Sequence, residues 1–236
     1  MTAEDYQSGQ VLLIDKPLHW TSFQAVNKIR WKIRKTFNLK KIKVGHAGTL
    51  DPLASGLLVI CTGKKTKEIN TYQGQIKEYT GTFVIGSTTP SFDLETEIDK
   101  HYPTEHISEA LIHSTTKQFI GDIAQYPPVF SAIKKDGKRL YEFAREGKDV
   151  EIKSRIVSIS EFEITNVEHS NSAKDGINVN FRVVCSKGTY IRSLANDFGK
   201  ALNSGAHLSV LRRTKIGDFK VENAQSIEAF IDSFEN

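Results

Sequence analysis

Cysteine is scarce in this 236-residue chain, and its pattern excludes several classes of protein. The two cysteines, Cys61 and Cys185, lie far apart, each at the end of an apolar run. No C-x-x-C pair occurs, so neither a zinc ribbon nor a thioredoxin-like redox motif is written here. Thiols placed this way read as buried and free, in a reducing, cytoplasmic compartment. The seven histidines form no H-E-x-x-H pattern, and no bound metal is expected. No apolar run approaches the ~20 residues that cross a bilayer. The polar start, Met1 to Gln10, lacks the basic-then-apolar order of a signal peptide, so no membrane partner is expected. No Gly-x-Gly-x-x-Gly follows a strand, which leaves dinucleotide binding without support. Gly63-Lys64-Lys65-Thr66 invites a Walker-loop reading and fails it. Leu58 stands where the first glycine belongs, and Lys65 replaces the hydroxyl residue.

Acidic charge is also missing from one stretch. Between Val26 and Val44 there is no Asp or Glu, while Lys28, Arg30, Lys32, Arg34, Lys35, Lys40, Lys41 and Lys43 all occur. The net charge of the chain is only +4, so this local excess says more than the total. Such a run is either a solvated face or a surface for phosphates. A second basic segment spans Ser131 to Gly147, with Lys134, Lys135, Lys138, Arg139 and Arg145 around an Asp136-Gly137 turn signal. Arg30, Arg34, Lys134, Lys138, Arg139 and Arg145 are the candidate nucleic-acid contacts.

What is present otherwise is an ordinary globular composition, 39% hydrophobic and 25% charged. Gln10 to Asp15 reads as a buried strand, stopped by Lys16-Pro17. Thr21-Ser22-Phe23-Gln24 is a capping-box pattern opening a helix that spaces Val26, Ile29, Ile33 and Phe37 on one face. Tyr79 to Gly86 alternates like a strand, and residues 87–102 read as a loop. A helix is expected over Ile107 to Phe119, strands over Ile156 to Val167 and Ile177 to Cys185, a helix from Thr189, and strand or loop from Leu208 to Phe219. Mixed elements with antiparallel signals predict an α+β fold. No repeat or linker divides the chain, so one domain over residues 1–236 is expected.

The densest stretch is Gly45-His46-Ala47-Gly48-Thr49-Leu50-Asp51-Pro52-Leu53-Ala54-Ser55-Gly56, followed by the apolar run Leu57 to Cys61. Glycines permit sharp turns and close approach, and Pro52 fixes the chain after the acid. The spacing alone describes either a tight turn capped by its own Asp or an acid held rigidly beside a buried element.

The whole string resembles the signature of the TruB-type tRNA pseudouridine synthases. Four further segments resemble the family in order: Leu13-Ile14-Asp15-Lys16-Pro17 with Thr21-Ser22; Tyr126-Pro127-Pro128 through Arg145 and Gly147; Cys185 to Leu194; and Leu211-Arg212-Arg213-Thr214 with Gly217 and Phe219. The resemblance implies a mixed, mainly antiparallel sheet flanked by helices, with an RNA-gripping insertion at about residues 126–153. It implies an enzyme that isomerises uridine-55 in the T loop of tRNA to pseudouridine, without a cofactor, with Asp51 as the catalytic residue. By the same resemblance Tyr79 stacks on the target base, Arg192 pairs with the catalytic acid, and His46 fills space left by the flipped nucleotide. Lys16, Tyr190 and Leu211 line the pocket. A monomer acting on the tRNA T arm is expected, with no C-terminal PUA-type domain. The alternative is an RNA-binding or tRNA-folding chaperone on the same fold, against which Asp51, Tyr79 and Arg192 together argue. Two departures stand out: His19 replaces a glycine after Lys-Pro, and Thr89-Pro90-Ser91-Phe92-Asp93 replaces a Thr-Asp-Thr-x-Asp pattern.

Overall fold

The computed structural model describes residues 1–131, 133–135, 137–146, 150–169 and 176–234. They form two compact units, Met1–Thr80 with Leu211–Asn236, and Gly81–Val210. The chain passes from one unit to the other within the Lys77–Ile85 strand and returns within the Ala206–Ile216 strand.

The first unit is built on strand Ala54–Thr62. It pairs antiparallel with Val11–Lys16, from Val11↔Cys61 to Lys16↔Gly56. Val44–His46 joins its C-terminal half, and Leu211 to Arg213 run parallel to Ala54 to Gly56. The apolar run Leu57 to Cys61 is buried at every position, because two core clusters cover it. Val11–Lys16 instead alternates, so Leu12, Ile14 and Lys16 share the buried face. Helix Ser22–Thr36 opens on the expected capping box. The Gln24 backbone N–H donates to Thr21 Oγ1 at 3.1 Å, and the Thr21 N–H donates to Gln24 Oε1 at 2.8 Å. Its Ala25, Val26, Ile29 and Ile33 pack on Leu12, Ile14, Leu58 and Ile60, each large side chain contributing about 1.5–3 kcal/mol by burial. Lys32, one of the eight cations in the acid-free stretch, is buried, its Nζ 5.7 Å from the Phe234 ring centroid.

In the second unit Arg155–His169 pairs antiparallel with Ile177–Cys185 and with Gly121–Gln125. Ile177–Cys185 alternates strictly, turning Ile177, Val179, Phe181, Val183 and Cys185 inward. Helix Ile191–Ala201 packs Phe198 against Phe83 and Phe162, and Phe83 stacks on Phe181 at 4.1 Å. Both cysteines are buried, and neither is in a disulfide. The helix read from Ile107 begins later, at Glu109, because the Ser108 hydroxyl caps it through the Leu111 N–H. It ends at Thr115 and continues to Phe119 as a tighter 3₁₀ turn. The helix read from Thr189 begins at Ile191, after Gly188 at φ 84°. Within the loop over 87–102, Ser87–Thr88 and Lys100–His101 pair as short strands. The basic segment forms the hairpin Lys134–Lys135 with Lys138–Arg139, then helix Leu140–Arg145. Ala132, Asp136 and Gly147 lie outside the described residues, as do the side chains of Lys134, Arg139 and Arg145. No helix among the described residues is long and apolar enough to cross a membrane.

Candidate active site

Asp51 sits on a loop between Val44–His46 and Ala54–Thr62, and backbone bonds hold that loop on several sides. The Ala47 N–H donates to Val59 O at 2.9 Å, and the Ala54 N–H to Asp51 O at 3.0 Å. Ser22, at the helix entry, accepts from the Leu50 N–H at 2.9 Å and donates to Leu50 O at 3.1 Å. The His19 N–H donates to Pro52 O at 2.8 Å. Gly56 has φ 103°, and a Cβ there would lie 2.3 Å from Arg213 O, so only glycine lets these strands meet. The carboxylate-bearing residue is half-buried, on a loop with little freedom to move.

Three cationic or titratable side chains are tied to this loop directly or through one another. Lys16 is fully buried, and its Nζ donates to Pro17 O at 2.9 Å and Trp20 O at 2.6 Å. Burial pushes this ammonium down to about 8, while the Asp51 carboxylate pulls it back up and Arg213 lowers it further. Arg213 is also buried, with Nε donating to Leu57 O at 2.8 Å and Nη2 to Gly48 O at 3.0 Å. Its guanidinium thus spans both ends of the Asp51 loop. His46 is half-buried, and burial, then the Arg213 charge, holds its imidazole below the usual histidine range. The electrostatic couplings place Lys16, Asp51, Arg213 and His46 in one neighbourhood. Leu211 joins them by register, opposite Ala54.

Arg213 is the residue that sequence reasoning missed. Neighbours on a strand point to opposite faces. Arg212 takes one face and forms a fork with Asp15, at 3.0 and 2.6 Å; Arg213 takes the other. The adjacent pair of arginines in a strand was the available signal. Tyr79 is buried on Lys77–Ile85, next to Glu78, which accepts from the Thr214 hydroxyl at 2.7 Å.

In the second unit Arg192 is buried, where an isolated helix arginine would be exposed. Its Nη1 donates to Phe130 O at 2.8 Å and Ser91 O at 3.4 Å, and its Nε lies 3.5 Å from Asp93 Oδ2. Asp93 is therefore in place despite the Pro90 departure, on a turn where Phe92 adopts φ 64°. The Tyr190 backbone exchanges two bonds with the Gln125 amide, at 2.8 and 3.1 Å, and Arg155 lies over its ring. Of the candidate RNA contacts, Arg34 is exposed, whereas Arg30 donates to Asn27 Oδ1 and Val44 O, both at 2.9 Å. Lys138 is exposed and lies 3.5 Å from Glu146. A carboxylate on a tightly held loop, coupled to the buried Lys16 ammonium, is suited to nucleophilic or base chemistry at a substrate carbon. Among the described residues, no group of three or more His, Cys, Asp or Glu side chains is arranged to hold a metal ion.

The sequence matches the TruB family pseudouridylate synthase (N terminal domain) over residues 34–191 and the tRNA pseudouridylate synthase B C-terminal domain over residues 192–235. It is 65% identical to tRNA pseudouridine synthase B of Flavobacterium johnsoniae, covering all of both chains. It is 55% identical to that of Phocaeicola vulgatus, over 96% of this chain and 93% of the relative. A chain in the crystal structure of a Cbf5-Nop10-Gar1 complex superposes with a TM-score of 0.71 at 32% identity, covering 98% of this chain and 56% of the other. An H/ACA RNP bound to a substrate RNA containing 2'-deoxyuridine contains a chain with a TM-score of 0.67 at 30% identity. This chain spans little more than half of those two solved chains, 56% and 53%.

Proposed function

The chain belongs to the TruB family of pseudouridylate synthases, and from that premise we propose that it isomerises uridine-55 in the tRNA T loop, with Asp51 as its catalytic residue. The reaction breaks the bond from ribose C1′ to N1 of uracil and forms one from C1′ to C5. The C5 proton is lost and N1 regains one, so atoms and electrons balance without an oxidant or an external group. A carboxylate at the ribose face supplies the nucleophile or base that this exchange needs. The target base must first leave its stack, at a cost of a few kcal/mol, which stacking on Tyr79 offsets. In this reading Lys16, His46, Leu211, Tyr190 and Arg192 are assigned roles toward the target nucleotide on their motifs. The motif residues are divided between the two units, so the activity is assigned to the whole chain, acting as a monomer in the cytoplasm. Arg34 and Lys138, with Arg30, Lys134, Arg139 and Arg145, are assigned to the tRNA backbone.

The observation that carries the proposal is the Asp51 loop itself, clamped by Ser22 and Arg213 and coupled to Lys16. Chemical mapping of pseudouridine in an unmodified tRNA transcript treated with the purified chain tests it. A stop at position 55 is expected. No stop, or stops elsewhere only, would contradict the assignment.

A further inference from the structure

The basic face of helix Ser22–Thr36 carries a feature that the isomerisation does not use. Trp31 stands 50% exposed. The Nζ atoms of Lys28 and Lys35 lie 5.3 and 4.9 Å from its ring centroid. Cations gather at the electron-rich face of an indole, and anionic ligands follow cations. The ring lines a cleft of about 450 Å³ together with Asn27, Arg30, Arg34 and Lys35. Arg30 and Arg34 also line a second cleft of about 520 Å³ that extends along Lys41 and Lys43 to Gly45. Neither cleft contains an acidic side chain. Gly45 directly precedes His46, on the strand that leads into the Asp51 loop. The two clefts therefore share two arginines, and one of them reaches Gly45.

We propose that Trp31 is a nucleotide-stacking subsite: its indole stacks on an unpaired base of the RNA substrate other than the target uridine, and Arg34 and Lys35 hold the flanking phosphates. This rests on the reading of the chain as a tRNA-modifying enzyme and adds a contact distinct from Tyr79. The chemistry is sequence-tolerant, because every base presents a π face. Arg30, committed to Asn27 and Val44, shapes the wall between the clefts.

The test measures the dissociation constant of an unmodified tRNA transcript across a salt series. Trp31→Leu keeps an apolar, helix-compatible side chain without the flat ring, and should raise the constant roughly 5- to 100-fold. Trp31→Phe keeps a ring and should bind clearly more tightly than Trp31→Leu. The salt slope should be unchanged in Trp31→Leu, since stacking releases no counterion, and shallower by about one in Arg34→Gln. The chain has two tryptophans, Trp20 and Trp31; quenching of their fluorescence by tRNA should be largely lost in Trp31→Phe. Wild-type affinity in Trp31→Leu would overturn the subsite, and so would equal weakening in the Phe and Leu variants. Pseudouridine is mapped in the same wild-type reactions. If none forms, the isomerase reading fails, whatever the binding curves show.

Discussion

Lys16 shows how strand periodicity creates chemistry. An alternating strand puts every second residue inward, and at Lys16 that residue is an ammonium. Two carbonyls satisfy it, yet burial lowers it from 10.5 to about 8. Lysine Cε signals followed by ¹³C NMR should show one group titrating near 8. Asp51→Asn should move it lower still, because the carboxylate is what raises it. The absence of any lysine titrating well below 10.5 would contradict this. The linkage has a definite sign. The unfolded chain keeps this proton to about 10.5 and the fold releases it near 8, so Lys16 burial costs most below 8 and the cost is relieved as pH rises from 8 to 10.5. His19 is a second single-residue case. It adopts φ 65°, a conformation costing a residue with a Cβ about 1–2 kcal/mol. Glycine lowers that strain and adds freedom to the unfolded chain. His19→Gly should therefore raise stability by up to about 1 kcal/mol in thermal melts. A clear loss of stability would mean that the imidazole makes a stabilising contact.

Among the elements, strand Ala54–Thr62 positions the site, and Gly56 is its tightest point. An alanine there meets Arg213 O and is held at φ 103°. Gly56→Ala should lower the unfolding free energy in urea by more than about 2 kcal/mol, from backbone strain plus overpacking. An unchanged midpoint would show that the two strands can part without cost. Much of this architecture was legible in the sequence. The Thr21 capping box, the continuous burial of Leu57 to Cys61 and the alternation of Ile177–Cys185 follow from local patterns, and local patterns survive folding. What was hidden depends on long-range register. Nothing near Arg213 says that it, rather than Arg212, turns inward, because that choice is made by pairing with Ala54 to Gly56. The burial of Lys32 is hidden for the same reason, since its partner ring, Phe234, lies at the other end of the chain. The helix starting at Glu109 was misplaced because a serine cap outranked apolar spacing.

At the scale of the molecule, the family signature is spread along the whole chain. Asp51, Tyr79 and Lys16 lie in the first unit, and Arg192 and Tyr190 in the second. Between Val26 and Val44 the cations Lys28, Arg34, Lys35, Lys40, Lys41 and Lys43 are exposed, and so is Lys138 on the hairpin. Tight RNA binding and uridine isomerisation are separable properties, and a chaperone on this fold would need only the first. Asp51→Asn separates them, since the amide keeps the shape of the acid and loses its nucleophile and base. The decisive measurement is single-turnover conversion of uridine-55 in an unmodified tRNA transcript at saturating enzyme, with the tRNA dissociation constant measured in parallel. Conversion should fall by at least ~10²–10⁴-fold in Asp51→Asn, with the dissociation constant nearly unchanged. Substantial residual conversion would reduce Asp51 to a turn residue and contradict the account.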